Sequence, residues 1–295
     1  MQKIMSSIWC QNNAQEMADF YTAAIPGVKQ GKKSYYGDFA PRVGQQIGAL
    51  MTLDLKVQDY EFMMLNAGDS ITPNPSISHY IVCKSAEEVD SIYAKLSKGG
   101  KDLMPLDKYP FSERYAWTED KFGLSWQIIL VDMAQKVVPC MMFVGQQHGR
   151  AQEAITFYTS IFENSSQDFL VTYPAESGEA PNTVMHASFT IDGQKFIAMD
   201  SGHQHAFNFN EGVSIVVNCK NQKEVDYLWE KLSEDGGASQ CGWLKDKFGI
   251  FWQIVPESVR KLQHKDNQAR TDNMMKALMT MRKLDEAALI AAYEE

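Results

Sequence analysis

Long hydrophobic runs are missing from this chain. No stretch approaches the ~18 consecutive apolar residues of a membrane-crossing helix, so no transmembrane segment is predicted. The opening residues Met1-Gln2-Lys3-Ile4-Met5-Ser6 carry neither an apolar core nor a small-residue cleavage pattern, so no secretory signal is expected. Cysteine is sparse and odd in number. Cys10, Cys83, Cys140, Cys219 and Cys241 form no C-x-x-C pair, which excludes a disulfide framework and points to a reducing cytoplasm. Each reads as a small buried hydrophobe, and Cys140 has no readable base beside it that would make it a nucleophile. Histidine is also scarce: six residues are too few for a Ser-His-Asp arrangement in each half of the chain. Basic charge is in deficit, 28 Lys and Arg against 37 Asp and Glu, so a nucleic-acid partner is not expected.

What is present is ordinary in composition, 44% apolar and 22% charged, which places the chain among globular proteins. Its 295 residues suit two domains. A repeat says the same. Glu88-Val89-Asp90, Lys95-Leu96-Ser97 and Gly99-Gly100 return as Glu224-Val225-Asp226, Lys231-Leu232-Ser233 and Gly236-Gly237. Asp120-Lys121-Phe122-Gly123 before Trp126-Gln127-Ile128 returns as Asp246-Lys247-Phe248-Gly249 before Trp252-Gln253-Ile254. Phe20-Tyr21 is matched by Phe157-Tyr158. The chain therefore holds two copies of a module of roughly 125–130 residues, a domain-sized period. The expected boundaries are 1–134 for module A, 135–257 for module B and 258–295 for a tail.

Periodicity gives each module the same plan. In module B, Val137–Val144 reads as a strand, Arg150–Phe162 as a helix, and Phe169–Tyr173, Val184–Ile191 and Phe196–Met199 as strands, with Asp192-Gly193 as a hairpin turn. The pattern restarts with a strand at Val213–Cys219 and a helix capped by Asn221, ended by Gly236-Gly237, then short strands to Val255. Module A repeats it with Met5–Cys10, Gln15–Ala24, Leu50–Leu55, Glu61–Leu65, Ile77–Cys83, Glu87–Leu96 and Ser125–Leu130. Its last turn is about ten residues longer, carrying Leu106–Phe111. Each module is thus two βαβββ units, an α+β fold.

Paired βαβββ units, with Phe-Tyr in the first helix and a D-x-x-G turn before the last strand, resemble the vicinal oxygen chelate (VOC) or glyoxalase superfamily. Cys241 through Pro256, matched by Trp117 through Ile128, resembles its PhnB-like branch, whose domain bears the name 3-demethylubiquinone-9 3-methyltransferase. The resemblance implies half-open barrels, and it implies a divalent metal held by His, Glu and occasionally Gln inside each. Carried over by position, the last-strand Glu falls on Gln127 and Gln253, the fifth-strand His on or near Ser78 and Ser214, and the first-strand His near Ser6 and Cys140. Amide and hydroxyl groups are poor substitutes for carboxylate and imidazole, so no metal and no cofactor are expected. The methyltransferase name fits poorly too, since none of the 19 glycines forms G-x-G.

The candidate ligand-binding residues are Gln127, Gln253, Ser78, Ser214, Trp117 and Trp243. The two glutamines either orient a small molecule or close the barrel through a structural hydrogen bond. Trp126 and Trp252 read as core, His79 as a core histidine and His186 as exposed just before a strand. His203-Gln204-His205, with Asp200 or Glu211, is the alternative metal site. The tail from Asp266 shows an amphipathic Met-rich segment capped by Asp272 and a second helix, Glu286–Tyr293, capped by Asp285. Three readings stay open: metal-free binding of a small molecule, a metal-dependent VOC enzyme with unorthodox ligands, and a non-catalytic interaction module. The expected partners are a small molecule and, through module–module pairing, a pseudo-dimer within one chain, with a homodimer left open. Neither nucleic acid nor membrane is expected.

Overall fold

The computed structural model describes residues 2–265 and 267–295; Met1 and Asp266, the first residue of the predicted tail segment, lie outside them. Four βαβββ units follow one another. The first holds β1 (Ile4–Cys10), α1 (Ala14–Ala24), β2 (Val28–Tyr35), β3 (Leu50–Val57) and β4 (Tyr60–Asn66). The second holds β5 (Ile77–Cys83), α2 (Ala86–Leu96), β6 (Lys101–Tyr109), β7 (Ser112–Glu119) and β8 (Ser125–Leu130). The third holds β9 (Val137–Phe143), α3 (Ala151–Ile161), β10 (Ser166–Thr172), β11 (Val184–Ile191) and β12 (Gln194–Asp200). The fourth holds β13 (Val213–Cys219), α4 (Gln222–Ser233), β14 (Gly237–Ala238), β15 (Trp243–Lys245) and β16 (Phe251–Pro256). The tail adds α5 (Glu257–Gln263), α6 (Gln268–Leu278) and α7 (Glu286–Glu294).

The two units of one module do not share a sheet. The first unit joins the fourth in the order β14-β15-β16-β13-β1-β4-β3-β2, and the third joins the second in the order β10-β11-β12-β9-β5-β8-β7-β6. The seams are antiparallel, Ser7 opposite Ser214 in one and Cys140 opposite Ser78 in the other. Sequence explains the exchange. β5, β9 and β13 are buried at every position, and β1 at all but one, so each needs a partner on both edges. Its own unit supplies only one, and the seam supplies the other. The result is two half-open sheets, each drawing one unit from each module.

The repeated motifs converge on one device. Asp120 Oδ1 accepts the Phe122 and Leu124 N–H groups at 2.8 and 3.2 Å, closing the D-x-x-G turn. Its Oδ2 accepts from Tyr21 Oη at 2.8 Å and Trp126 Nε1 at 2.9 Å. Asp246 does the same with Phe248, Ile250, Tyr158 and Trp252, at 2.9, 3.0, 2.6 and 2.8 Å. The first helix of a module is thereby pinned to its last strand, which lies in the other sheet. Burial raises the Asp120 carboxyl to about 6 and raises that of Asp246 too, against the pull of these donors. The glycine pairs have a steric reason: a Cβ at Gly100 or Gly236 would run into the carbonyl of Glu119 or Lys245. Trp126 and Trp252 are core residues, as the sequence indicates.

Several elements depart from the sequence reading. β2 is an edge strand whose lysines and glutamine leave no apolar alternation to detect. The long turn of module A is a hairpin of β6 and β7 with its bend at Pro110-Phe111. His186 is not exposed ahead of a strand; it sits within β11, half-buried against Tyr80 and Phe169. Asp272 is not a helix cap. α6 starts earlier, capped by Asn267, and Asp272 is buried, where it accepts the Asp38 N–H at 3.0 Å. Asp285 caps α7 as expected.

The tail packs on the first sheet. Val259, Met274, Leu284, Leu289 and Tyr293 form its own cluster, and Met275 and Met279 reach Tyr36, Phe39 and Met51. Gly37 lets Asp272 approach, since a Cβ there would overlap the carboxylate. Gly37→Ala is expected to cost about 1–3 kcal/mol by overpacking. Limited proteolysis should then cut within residues 258–295 earlier than in the parent; an unchanged cleavage rate would mean that the tail is not held there.

Candidate functional site

Each sheet has a face turned away from helices α1–α4. On the first sheet, strand alternation puts Ser7 and Trp9 of β1, Met63 and Leu65 of β4, Ser214 and Val216 of β13 and Gln253 and Val255 of β16 on that face. On the second sheet the corresponding residues are Cys140, Ile197, Ser78 and Tyr80, with Gln127 and Ile129. Ser6, which the sequence places near the first-strand ligand position, points the other way. Its hydroxyl meets His79 Nε2 at 2.8 Å and Tyr60 Oη at 3.0 Å in the core, and Ser7 takes its place.

The sequence-predicted residues come together in two groups. Gln127 Nε2 donates to Ser78 Oγ at 2.8 Å, and Gln253 Nε2 donates to Ser214 Oγ at 3.0 Å. Trp117 lies beside Gln127 and Trp243 beside Gln253 in the strand register. Beyond that the faces differ. Tyr115 Oη donates to Gln127 Oε1 at 2.5 Å, so that amide is satisfied on both sides. Tyr80 fills the neighbouring space, and Tyr109, Trp117, Met104 and Met133 close over it. Trp117 Nε1 is bonded to Ser125 Oγ at 2.7 Å.

The first sheet fills this space less. Register puts Val216 where the second sheet has Tyr80. The strand position that carries Tyr115 in β7 has no counterpart in the shorter β15, where Cys241 lies in the turn before it and lines the space. Gln253 Oε1 consequently accepts no hydrogen bond among the described residues. A cavity of about 330 Å³ opens between this face and the tail. Trp9, Met63, Val216, Trp243 and Gln253 line it from the sheet, Phe39 and Met51 from the side, and Arg260, Met275 and Leu278 from the tail. Of these lining residues the sequence analysis names Gln253 and Trp243 but not Arg260, which reaches the cavity only because the tail folds back.

Arg260 is 4% exposed. Its Nη2 donates to Asp54 Oδ1 at 2.6 Å and its Nη1 approaches Met63 Sδ at 3.0 Å, while its Nε has no partner. The hydroxyl of Ser7 is also buried without a partner.

The donors suit a divalent cation badly. The first sheet offers two hydroxyls, an amide and the Met63 thioether; the second offers one serine hydroxyl, one amide and the Cys140 thiol, with the hydrocarbon Ile197 beside them. Burial pushes the Cys140 thiol up to about 12, which withholds the thiolate that a metal would bind. Among the described residues no three His, Cys, Asp or Glu side chains converge. In the His203-Gln204-His205 loop, His205 is tied to Ser201 Oγ at 2.8 Å. Asp200 is turned inward, spending both oxygens on the N–H groups of Gly149, Ala151 and Val184.

The model of one protein family, 3-demethylubiquinone-9 3-methyltransferase, matches the chain twice, over residues 2–129 and 135–255. Among solved structures, the PhnB protein from Bacillus cereus is 32% identical, covering 44% of this chain and 100% of its own, with a TM-score of 0.40. Glyoxalase I from Zea mays is 12% identical but covers 88% of this chain and 94% of its own, with a TM-score of 0.57. That likeness shows the fold, two tandem VOC modules in one chain. No curated protein matches the chain. Among the described residues, no helix is long and apolar enough to cross a membrane.

Proposed function

The chain belongs to the 3-demethylubiquinone-9 3-methyltransferase family, a PhnB-like branch of the glyoxalase superfamily, and from the site itself we propose metal-free binding of one small molecule in the cavity of the first sheet. The observation that carries this reading is the contrast between the two faces. Tyr80, Tyr115 and a closed amide network fill one, whereas Val216, Cys241 and an open Gln253 leave room on the other. A cavity with largely apolar walls and a few polar groups is the usual form of a small-molecule site. It also argues against a purely structural role for this face. The second sheet is then the structural partner, its Gln127 a barrel-closing residue.

A resident metal has no place in this reading, because hydroxyl, amide and thioether groups bind divalent cations weakly. The family name suggests methyl transfer, but neither sheet carries the glycine-rich turn of the usual S-adenosylmethionine domain. A cytoplasmic location suits the cysteines, none of which is paired.

Naphthalene is a suitable apolar probe, followed through the anisotropy of its own fluorescence. Wild-type protein is expected to bind it, and Val216→Tyr, which copies the second sheet's filling into the first, is expected to weaken binding at least tenfold while leaving the unfolding midpoint unchanged or higher. Equal binding by a folded Val216→Tyr variant would reject the cavity as the site.

A further inference from the structure

The cavity's polar groups narrow what it holds. The Thr52 and Ser34 hydroxyls and the Gln263 amide nitrogen are occupied with one another: Ser34 Oγ lies 2.6 Å from Thr52 Oγ1, and Gln263 Nε2 donates to Ser34 at 3.2 Å. Among the described residues the lining groups left without a partner are the Arg260 Nε–H and the Trp243 Nε1–H as donors and the Gln253 Oε1 and the Gln263 Oε1 as acceptors, with Arg260 Nε the fully buried one. A buried donor without a partner is costly, and a ligand that supplies the missing acceptor recovers that cost.

The guanidinium is not a free charge. Asp54 already neutralises it at 2.6 Å, and Asp54 stands directly opposite Met63 in the strand register, beside the second guanidinium contact. A ligand anion on Arg260 would lie close to the Asp54 carboxylate and would lose its hydration among apolar walls, so one shared cation would serve two anions. An uncharged acceptor meets neither penalty. A ligand cation would find no free carboxylate among the lining residues.

We propose that the ligand of the first-sheet cavity is an apolar, ring-sized molecule ending in an uncharged group that both accepts and donates hydrogen bonds, of the carboxamide type, with Arg260 Nε donating to it and Gln253 Oε1 accepting from it. This rests on the cavity being the binding site. It makes the tail part of that site: α5 supplies Arg260, and α6 supplies wall residues Met275 and Leu278. Arg260 and Gln253 set specificity, and the apolar wall sets size.

The test uses the full chain and three probes that share one ring system: naphthalene, 2-naphthamide and 2-naphthoate, each followed by naphthyl fluorescence anisotropy. The amide is expected to bind at least tenfold more tightly than either of the others. Arg260→Met and Gln253→Leu should each lower the ratio of amide affinity to naphthalene affinity about tenfold. Their separate positions, on the tail and on β16, protect the test if one variant folds poorly. Naphthoate binding as tightly as the amide, or amide binding no better than naphthalene, would overturn the carboxamide assignment and leave the cavity reading intact. If none of the three binds, the cavity reading fails and the assignment fails with it.

Discussion

Replacing Asp246 by Ala is expected to destabilise the chain by about 3–5 kcal/mol. One carboxylate satisfies four buried donors, and its removal strands the Tyr158 hydroxyl, the Trp252 indole N–H and two turn N–H groups together. Each stranded donor costs about 1–3 kcal/mol, partly relieved if water enters. Tyr158→Phe removes only one of the four bonds and should cost about 1 kcal/mol. Urea unfolding of the two variants measures the difference. A loss below about 1 kcal/mol for Asp246→Ala would mean that the network is not what ties helix α3 to strand β16.

The second large effect is on acid stability. His79 is fully buried among Phe62, Tyr60 and Trp126, with Nε2 on Ser6 and no partner for Nδ1. Burial lowers its pKa to about 3. The unfolded chain, with an ordinary histidine, therefore binds a proton below about pH 6.5 that the folded chain refuses until about pH 3. Stability from this group is complete above about pH 6.5 and falls by up to about 1.4 kcal/mol for each pH unit below it. Asp120 and Asp246 act in the opposite sense. Their raised carboxyl values mean that the folded chain holds protons more readily, so their contribution rises as pH falls toward 4. The informative quantity is thus the difference between proteins. His79→Phe keeps the aromatic packing, and the parent's stability minus the variant's should fall by about one proton's worth, up to about 1.4 kcal/mol per pH unit, as pH drops from about 6.5 to about 4.5. Parallel pH dependences for the two proteins would contradict a neutral buried imidazole.

Most of the fold is legible from the sequence because it is written twice. The strands Ile77–Cys83, Val184–Ile191, Val213–Cys219 and Ser125–Leu130 match their sequence bounds, since apolar β-branched runs signal buried strands directly. Edge strands do not announce themselves this way. β2 and the β6–β7 hairpin are defined by pairing partners rather than by their own hydrophobicity. The fully buried strands β5, β9 and β13 signal that two partners are needed, but which unit supplies the second partner is not written in any local pattern. Asp272 looks like a cap by composition, yet its role comes from Gly37 and Asp38, more than two hundred residues away.

The site is legible in part. Both glutamines and both serines are found by position, and they do pair. The difference between the two faces hinges on Tyr80 against Val216, which strand register sets beside the amides, and on the Tyr115 hydroxyl, which has no counterpart beside Gln253. Arg260 lies beyond the repeat altogether, so no comparison of the two modules reveals it.

The most direct test of the account is the stoichiometry of 2-naphthamide binding to protein treated with a chelator, measured by calorimetry. One molecule per chain, with affinity unaffected by chelator and lost in Val216→Tyr, is the predicted result. Two equivalent sites per chain, or binding that returns only when a divalent metal is restored, would contradict it.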